Sequence, residues 1–133
     1  MTPLFADTSF YAACLIPRDS HHTKALALAA SNRLTIVTTE FVFVELANLF
    51  SKLARRTAAV RLINQVRSDS DTLIAPATSE LLARGFELFE KRIDKEWSLT
   101  DCISFVVMEE HGVSEALTSD SDFEQAGFRA LLL

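Results

Sequence analysis

Short apolar segments of β-type residues recur along this chain, each followed by a stretch with helical periodicity. That alternation restricts the fold more than any other feature of the sequence. PLFAD at the start, LTIVTT (34–39), TLIA (72–75), EALT (115–118) and the closing FRALLL read as five strands. After the first, Thr8 or Ser9 is placed to cap a helix through Leu15, which Pro17 ends, and the Ala-rich stretch from His21 to Ser31 is helical. A long helix follows the second strand, with Leu46, Leu49, Phe50 and Leu53 repeating at i, i+3, i+4 and i+7, and another covers about 58–68. The pattern predicts a helix from Ser79 to Lys91, and a buried one from an N-cap at Thr100 to His111, closed by Gly112. Strands alternating with helices imply an α/β fold: a parallel sheet of about five strands, covered on both faces and connected by right-handed crossovers. Ligands of such sheets bind at the carboxyl ends of the strands.

At 133 residues and 49% hydrophobic, the chain is expected to form one domain over 1–133. No apolar run approaches the roughly 18–20 residues of a membrane span, and MTPLFADTSF lacks a basic n-region, so a cytoplasmic protein without membrane contact is expected. Cys14 and Cys102 lie inside apolar segments without metal-ligand spacing and read as buried thiols. Three glycines supply neither a Walker loop nor a G-x-G-x-x-G cradle. The net charge of −5 excludes a nucleic-acid binder that works by bulk electrostatics, so a polyanion has to be held locally.

The carboxylates supply the means. Asp7 ends the first strand and Asp120 follows the fourth; Asp101 opens the helix that feeds the fourth strand; Glu45 lies about two turns into the helix after the second. All four are expected at the carboxyl edge of the sheet. Each has a structural explanation taken singly. Asp101 at the first helical position gains roughly 0.3–1 kcal/mol from the helix dipole, Asp120 and Asp122 suit Asx turns, and Glu45 suits a solvated helix face. Asp7, at the end of a buried strand, is costly without a partner or cation. Crowded carboxylates repel, and they must protonate or share a cation. A hard divalent ion takes oxygen ligands and suits phosphoryl chemistry, which makes phosphodiester hydrolysis the leading reaction class.

Four stretches now carry a resemblance. DTSFYAACLIPRDSHHTKA, TTEFVFVELANLF, WSLTDCISF and ALTSDSDFEQAGF together resemble the PIN-domain nucleases, and within them the VapC-type toxins of prokaryotic toxin-antitoxin pairs. The resemblance runs almost end to end, with Asp7, Glu45, Asp101 and Asp120 in the four acidic positions. It implies a PIN-like three-layer fold and an endoribonuclease dependent on Mg²⁺ or Mn²⁺, which hydrolyses RNA as a homodimer and is silenced by a small antitoxin. On this reading the four acids are catalytic and hold or order the metal. Thr8, Ser9, Thr100 and Thr118 orient carboxylates or water, and Asn48 does likewise. One departure is that Asp122 stands where many relatives have histidine before the Phe, and Asp120 is favoured over it as the metal-facing acid.

Other residues read more plainly. His21 and His22 are turn and helix-start residues, and Trp97 packs beneath the acidic edge. Lys52, Arg55 and Arg56 suit either RNA phosphates or a solvated helix end. A receiver-type signalling module would need an acidic pair after the first strand and a lysine near the last. An aspartyl phosphatase would need D-x-D, and here the third residue is Ser9. The alternatives are an RNA-processing nuclease of the same fold outside any toxin-antitoxin pair, or a non-catalytic module that binds RNA or a partner.

Overall fold

The computed structural model describes residues 2–31 and 34–133. Its five strands are β1 (Leu4–Ala6), β2 (Ile36–Thr39), β3 (Thr72–Ala75), β4 (Glu115–Leu117) and β5 (Arg129–Ala130), all parallel, in the order β3-β2-β1-β4-β5. The first crossovers, through α1 (Thr8–Leu15) with α2 (His22–Ala29) and through α3 (Glu40–Leu49) with α4 (Leu53–Ser68), step outward from β1 to one side. The next, through α5 (Ser79–Lys91) and α6 (Leu99–Glu110), returns past β1 to place β4 on its other side, and α7 (Asp122–Gln125) leads into β5. The direction of winding therefore reverses between β1 and β4, where Phe5 pairs with Ala116. Such a reversal opens a crevice at the carboxyl ends of the two strands, because the connections leave it in opposite directions.

Packing explains the layers. α1 packs on α2, α3 and α4, while α6 lies between α5 and the sheet, touching β2. Gly85 of α5 permits this close crossing, since a Cβ there would stand 2.2 Å from Cγ1 of Ile103. Phe105 of α6 meets Trp97 and Phe123 edge-on, with ring centroids 5.0 and 4.9 Å away, so Trp97 is core beneath the acidic edge as expected. Its indole N–H donates to Gln125 Oε1. The strands, the α/β class and the helices at 22–29, 79–91 and 99–110 agree with the sequence reading to within a few residues. Gly112 is left-handed at φ 63°, which suits a residue without Cβ ending a helix. Both cysteines are free, Cys102 being buried and Cys14 partly so. Among the described residues no helix is long and apolar enough to cross a membrane.

Three local expectations are corrected. The apolar repeat through Leu53 does not belong to one helix: α3 ends at Leu49, Phe50 is buried as an anchor, and Leu53 is 89% exposed at the start of α4. The corner is held by Arg56, whose Nε and Nη2 donate to the Ser51 carbonyl at 3.0 and 2.7 Å, replacing helix continuation. Thr100 is not an N-cap. Ser98 holds that place, its hydroxyl accepting from Asp101 N–H while the Asp101 carboxylate accepts from Ser98 N–H, a reciprocal capping box. Asp101 is consequently the third helical residue rather than the first. Neither Thr8 nor Ser9 caps α1; Asp7 is its N-cap, without a side-chain cap bond, and the Ser9 hydroxyl turns to the Asp7 carboxylate instead.

Candidate active site

The crevice between β1 and β4 is acidic. Asp7, Thr8, Ser9, Glu45, Glu96, Ser98, Asp101, Asp120 and Asp122 line one cleft of about 350 Å³, together with Leu49. Four backbone origins meet there for separate reasons. Asp7 follows β1 directly, Asp120 and Asp122 follow β4, Asp101 is delivered by the first turn of α6, and Glu45 comes from the second turn of α3.

Carboxylate oxygens of Asp101, Asp120 and Asp122 lie within 4.8 Å of one another. Asp7 and Glu45 line the same cleft outside this trio. Asp120 and Asp122 therefore both face it. The Asp120 carboxylate accepts the Asp122 N–H at 2.9 Å in an Asx turn, which fixes one oxygen and leaves the other to the cleft.

Asp7 is held most firmly. Ser9 and Thr118 hydroxyls both donate to its Oδ2, at 3.0 and 2.8 Å, and the two hydroxyl oxygens lie 3.0 Å apart. Each hydroxyl has a single hydrogen, so with both aimed at Asp7 these oxygens accept from elsewhere. Ser9 takes the Ser119 N–H and Thr118 takes the Asp120 N–H. This network ties the end of β1 to the end of β4 through side chains. Thr8 is buried, and its hydroxyl is without a hydrogen-bond partner among the described residues.

Burial and mutual repulsion show in the proton affinities. Burial pushes Asp7 up to about 6 despite the hydroxyls that favour its charge, with Glu45 adding repulsion. Asp101 rises to about 8, through burial first and then through the charges of Asp7 and Asp120. Asp122 is raised by partial burial and by Asp120. Burial and crowding thus favour the neutral, protonated forms of Asp7 and Asp101.

Two residues expected to support the site stand elsewhere. Asn48 is exposed and does not line the cleft, which Leu49 borders at the position one full turn after Glu45. Thr100 is outside the lining as well, its carbonyl serving the Ser104 hydroxyl. Glu96 and Ser98 join the lining without having been expected there. Ser98 was detectable from the S-x-x-D spacing ahead of an apolar run, whereas Glu96 has no local signature. His21 and His22 start α2, and His22 Nδ1 bonds the Ala13 carbonyl at 2.7 Å, away from the acidic lining.

Known proteins resemble this chain over nearly its whole length. VapC20 of Mycobacterium tuberculosis, a 23S rRNA-specific endonuclease, is 31% identical over 125 residues, covering 94% of this chain and 95% of that protein. The crystal structure of M. tuberculosis VapC20, described as a sarcin-ricin loop cleaving toxin, superposes with a TM-score of 0.84 at 30% identity, over 94% of this chain and 95% of that one. FitAcB from Neisseria gonorrhoeae, at 17% identity and a TM-score of 0.67 over 96% and 94% of the two chains, shares the fold. Residues 4–129 match the PIN domain, and the chain belongs to that family.

Proposed function

We propose that this chain is an endoribonuclease that hydrolyses RNA phosphodiester bonds with a divalent ion, and that it acts as the toxin of a toxin-antitoxin pair. The observation that carries the reading is the convergence of Asp101, Asp120 and Asp122 within 4.8 Å, in a cleft that Asp7 and Glu45 complete. Membership of the PIN family and the likeness to VapC20 support it.

The residues suit a hard cation. Every charged donor in the cleft is a carboxylate, the ligand type that Mg²⁺ and Mn²⁺ prefer, and the raised proton affinities of Asp7 and Asp101 mark a site relieved by positive charge. Asp7, Asp101 and Asp120 would hold the ion, directly or through water, with Asp122 beside them and Glu45 ordering water across the cleft. When bound, such an ion lowers the pKa of water and stabilises negative charge on phosphate oxygens. The chain's own contribution is preorganisation. Ser9 and Thr118 fix the Asp7 carboxylate, Ser98 N–H fixes Asp101, and Asp122 N–H fixes Asp120, so the oxygens are aimed before substrate arrives. Apolar packing of Trp97, Phe105 and Phe123 beneath the cleft gives these side chains a rigid base.

Homodimer formation, silencing by a small antitoxin and residence in the cytoplasm, as a single PIN domain, complete the reading. Ribosomal RNA is the first substrate to test, because VapC20 acts on 23S rRNA. The purified protein should cleave it with Mg²⁺ or Mn²⁺, and lose activity with EDTA or on changing Asp7, Asp101 or Asp120 to Asn. Full cleavage in excess EDTA would refute the metal-dependent reading.

A further inference from the structure

In a chain of net charge −5, residues 46–68 hold five cations, Lys52, Arg55, Arg56, Arg61 and Arg67, and no carboxylate. Three of them gather where α3 gives way to α4: Lys52 is the N-cap of α4, and Arg55 and Arg56 lie in its first turns. Arg18, after α1, belongs to the same group, since Arg18 and Arg55 line one cleft of about 410 Å³ walled by Leu15, Phe50, Ala54 and Ala58.

This placement works against local stability. The first turn of α4 has no acidic residue and its N-cap makes no side-chain bond. The helix dipole disfavours cations there, and the free N–H groups add charge of the same sign. The ion pairs among the described residues use Arg84, Lys91, Arg92 and Arg129, and none involves Arg18, Lys52, Arg55 or Arg56. Arg56 has a structural task at the Ser51 carbonyl, whereas among the described residues the side chains of Arg18, Lys52 and Arg55 make no hydrogen bond or ion pair.

The basic cleft adjoins the acidic one. Leu49 lines the carboxylate cleft, and the next residue, Phe50, lines the basic cleft. Glu45 precedes Leu49 by about one turn, roughly 6 Å of helix rise. A strand bound at the carboxylates and continuing along α3 toward its C-terminal end runs toward these cations.

We propose that Arg18, Lys52 and Arg55 bind the sugar-phosphate backbone of the RNA strand beside the scissile bond, with a ribose or base against Leu15 and Ala54. The inference rests on the nuclease reading. Charge complementarity selects the occupant: the site is basic where a strand leaving the acidic cleft needs it, and an acidic peptide would gain nothing from adjacent carboxylates.

The test is fluorescence anisotropy of a labelled 20-nucleotide single-stranded RNA, in an Asp101→Asn background with Mg²⁺, at 50 and 200 mM KCl. The variant R18Q/K52Q/R55Q is compared with R84Q/K91Q/R92Q, which removes equal charge from carboxylate-paired positions. All six side chains lie at least partly at the surface, and thermal melts check folding. Three lost phosphate contacts reduce the log–log salt slope by about 2, so the parent should lose about 20-fold more affinity over this salt range than the first variant. The second variant should keep the parental slope. Equal slopes in both variants, or an unchanged slope in the first, would overturn the proposal. Loss of binding to a poly-glutamate peptide with RNA binding intact would reassign the cleft to an acidic protein partner. In the otherwise unsubstituted protein, R18Q/K52Q/R55Q should raise KM for RNA and spare kcat. Failure of the unsubstituted protein to cleave any RNA would strike the nuclease reading, separately from the anisotropy result.

Discussion

Asp101→Asn should stabilise the metal-free protein at alkaline pH while abolishing cleavage. The carboxyl rises from 3.8 to about 8 on folding. Between these values the folded protein holds a proton that the unfolded chain has released, so stability is fully present below the lower value and is lost as pH rises through the higher one. A rise of about 4, at roughly 1.4 kcal/mol per pH unit, sets a ceiling of about 5–6 kcal/mol, and water entry with side-chain relaxation reduces this to about 2–4 kcal/mol. Asn keeps an oxygen to accept the Ser98 N–H but forfeits about 0.3–1 kcal/mol of helix-dipole interaction. The net gain at pH 8.5 is therefore about 2–3 kcal/mol, or roughly 6–15 °C in Tm for a domain of this size. At pH 5 the wild-type carboxyl keeps its proton in the fold and only the 1.2 pH units between 3.8 and 5 count against it, so the advantage should shrink to about 1–2 kcal/mol. Thermal melts of both proteins in EDTA at pH 5 and 8.5 test this. A variant that melts below wild type at pH 8.5, or differs equally at both pH values, would show that Asp101 is chiefly a helix cap. Added Mg²⁺ at a hundred times its Kd should stabilise wild type by about 2.7 kcal/mol and the variant by less.

Other outcomes follow from the same geometry. Apparent Mg²⁺ affinity, measured by calorimetry, should increase from pH 5.5 to 8.5, because protons compete for Asp7 at about 6 and Asp101 at about 8; a flat profile would exclude these carboxyls as ligands. Gly85→Ala should cost about 1–3 kcal/mol in urea unfolding by driving a methyl into Cγ1 of Ile103, and should cost less in an Ile103→Ala background, which lacks that atom. Ser98→Ala removes a cap bond and should cost about 0.5–2 kcal/mol while lowering RNA cleavage, since it frees the turn that carries Asp101. Cleavage at the wild-type rate would show that this turn is held by packing alone.

Much of the fold was written locally. β-branched runs, Pro17 and Gly112 mark strands, a helix stop and a left-handed turn through short-range sterics, and the five strands appear where that pattern put them. Carboxylates just beyond strand ends could be assigned to one edge because parallel strands share a direction, and Asp7, Glu45, Asp101 and Asp120 do line one cleft. The break at Phe50–Lys52 was invisible, since the apolar period continues through it without Gly or Pro and an arginine reaching back to Ser51 makes the corner.

Sequence alone determined the alternation of elements, the α/β class and the edge at which the acids gather, because these depend on residue spacing and backbone propensity within a few residues. Tertiary structure alone decided the strand order that opens the crevice between β1 and β4, the arrival of Glu96 at the acidic cleft, the exposure of Asn48, and the contact of Gly85 with Ile103. Those outcomes depend on how distant surfaces fit once water is expelled, and residues far apart in the chain have no local pattern that records whom they will meet.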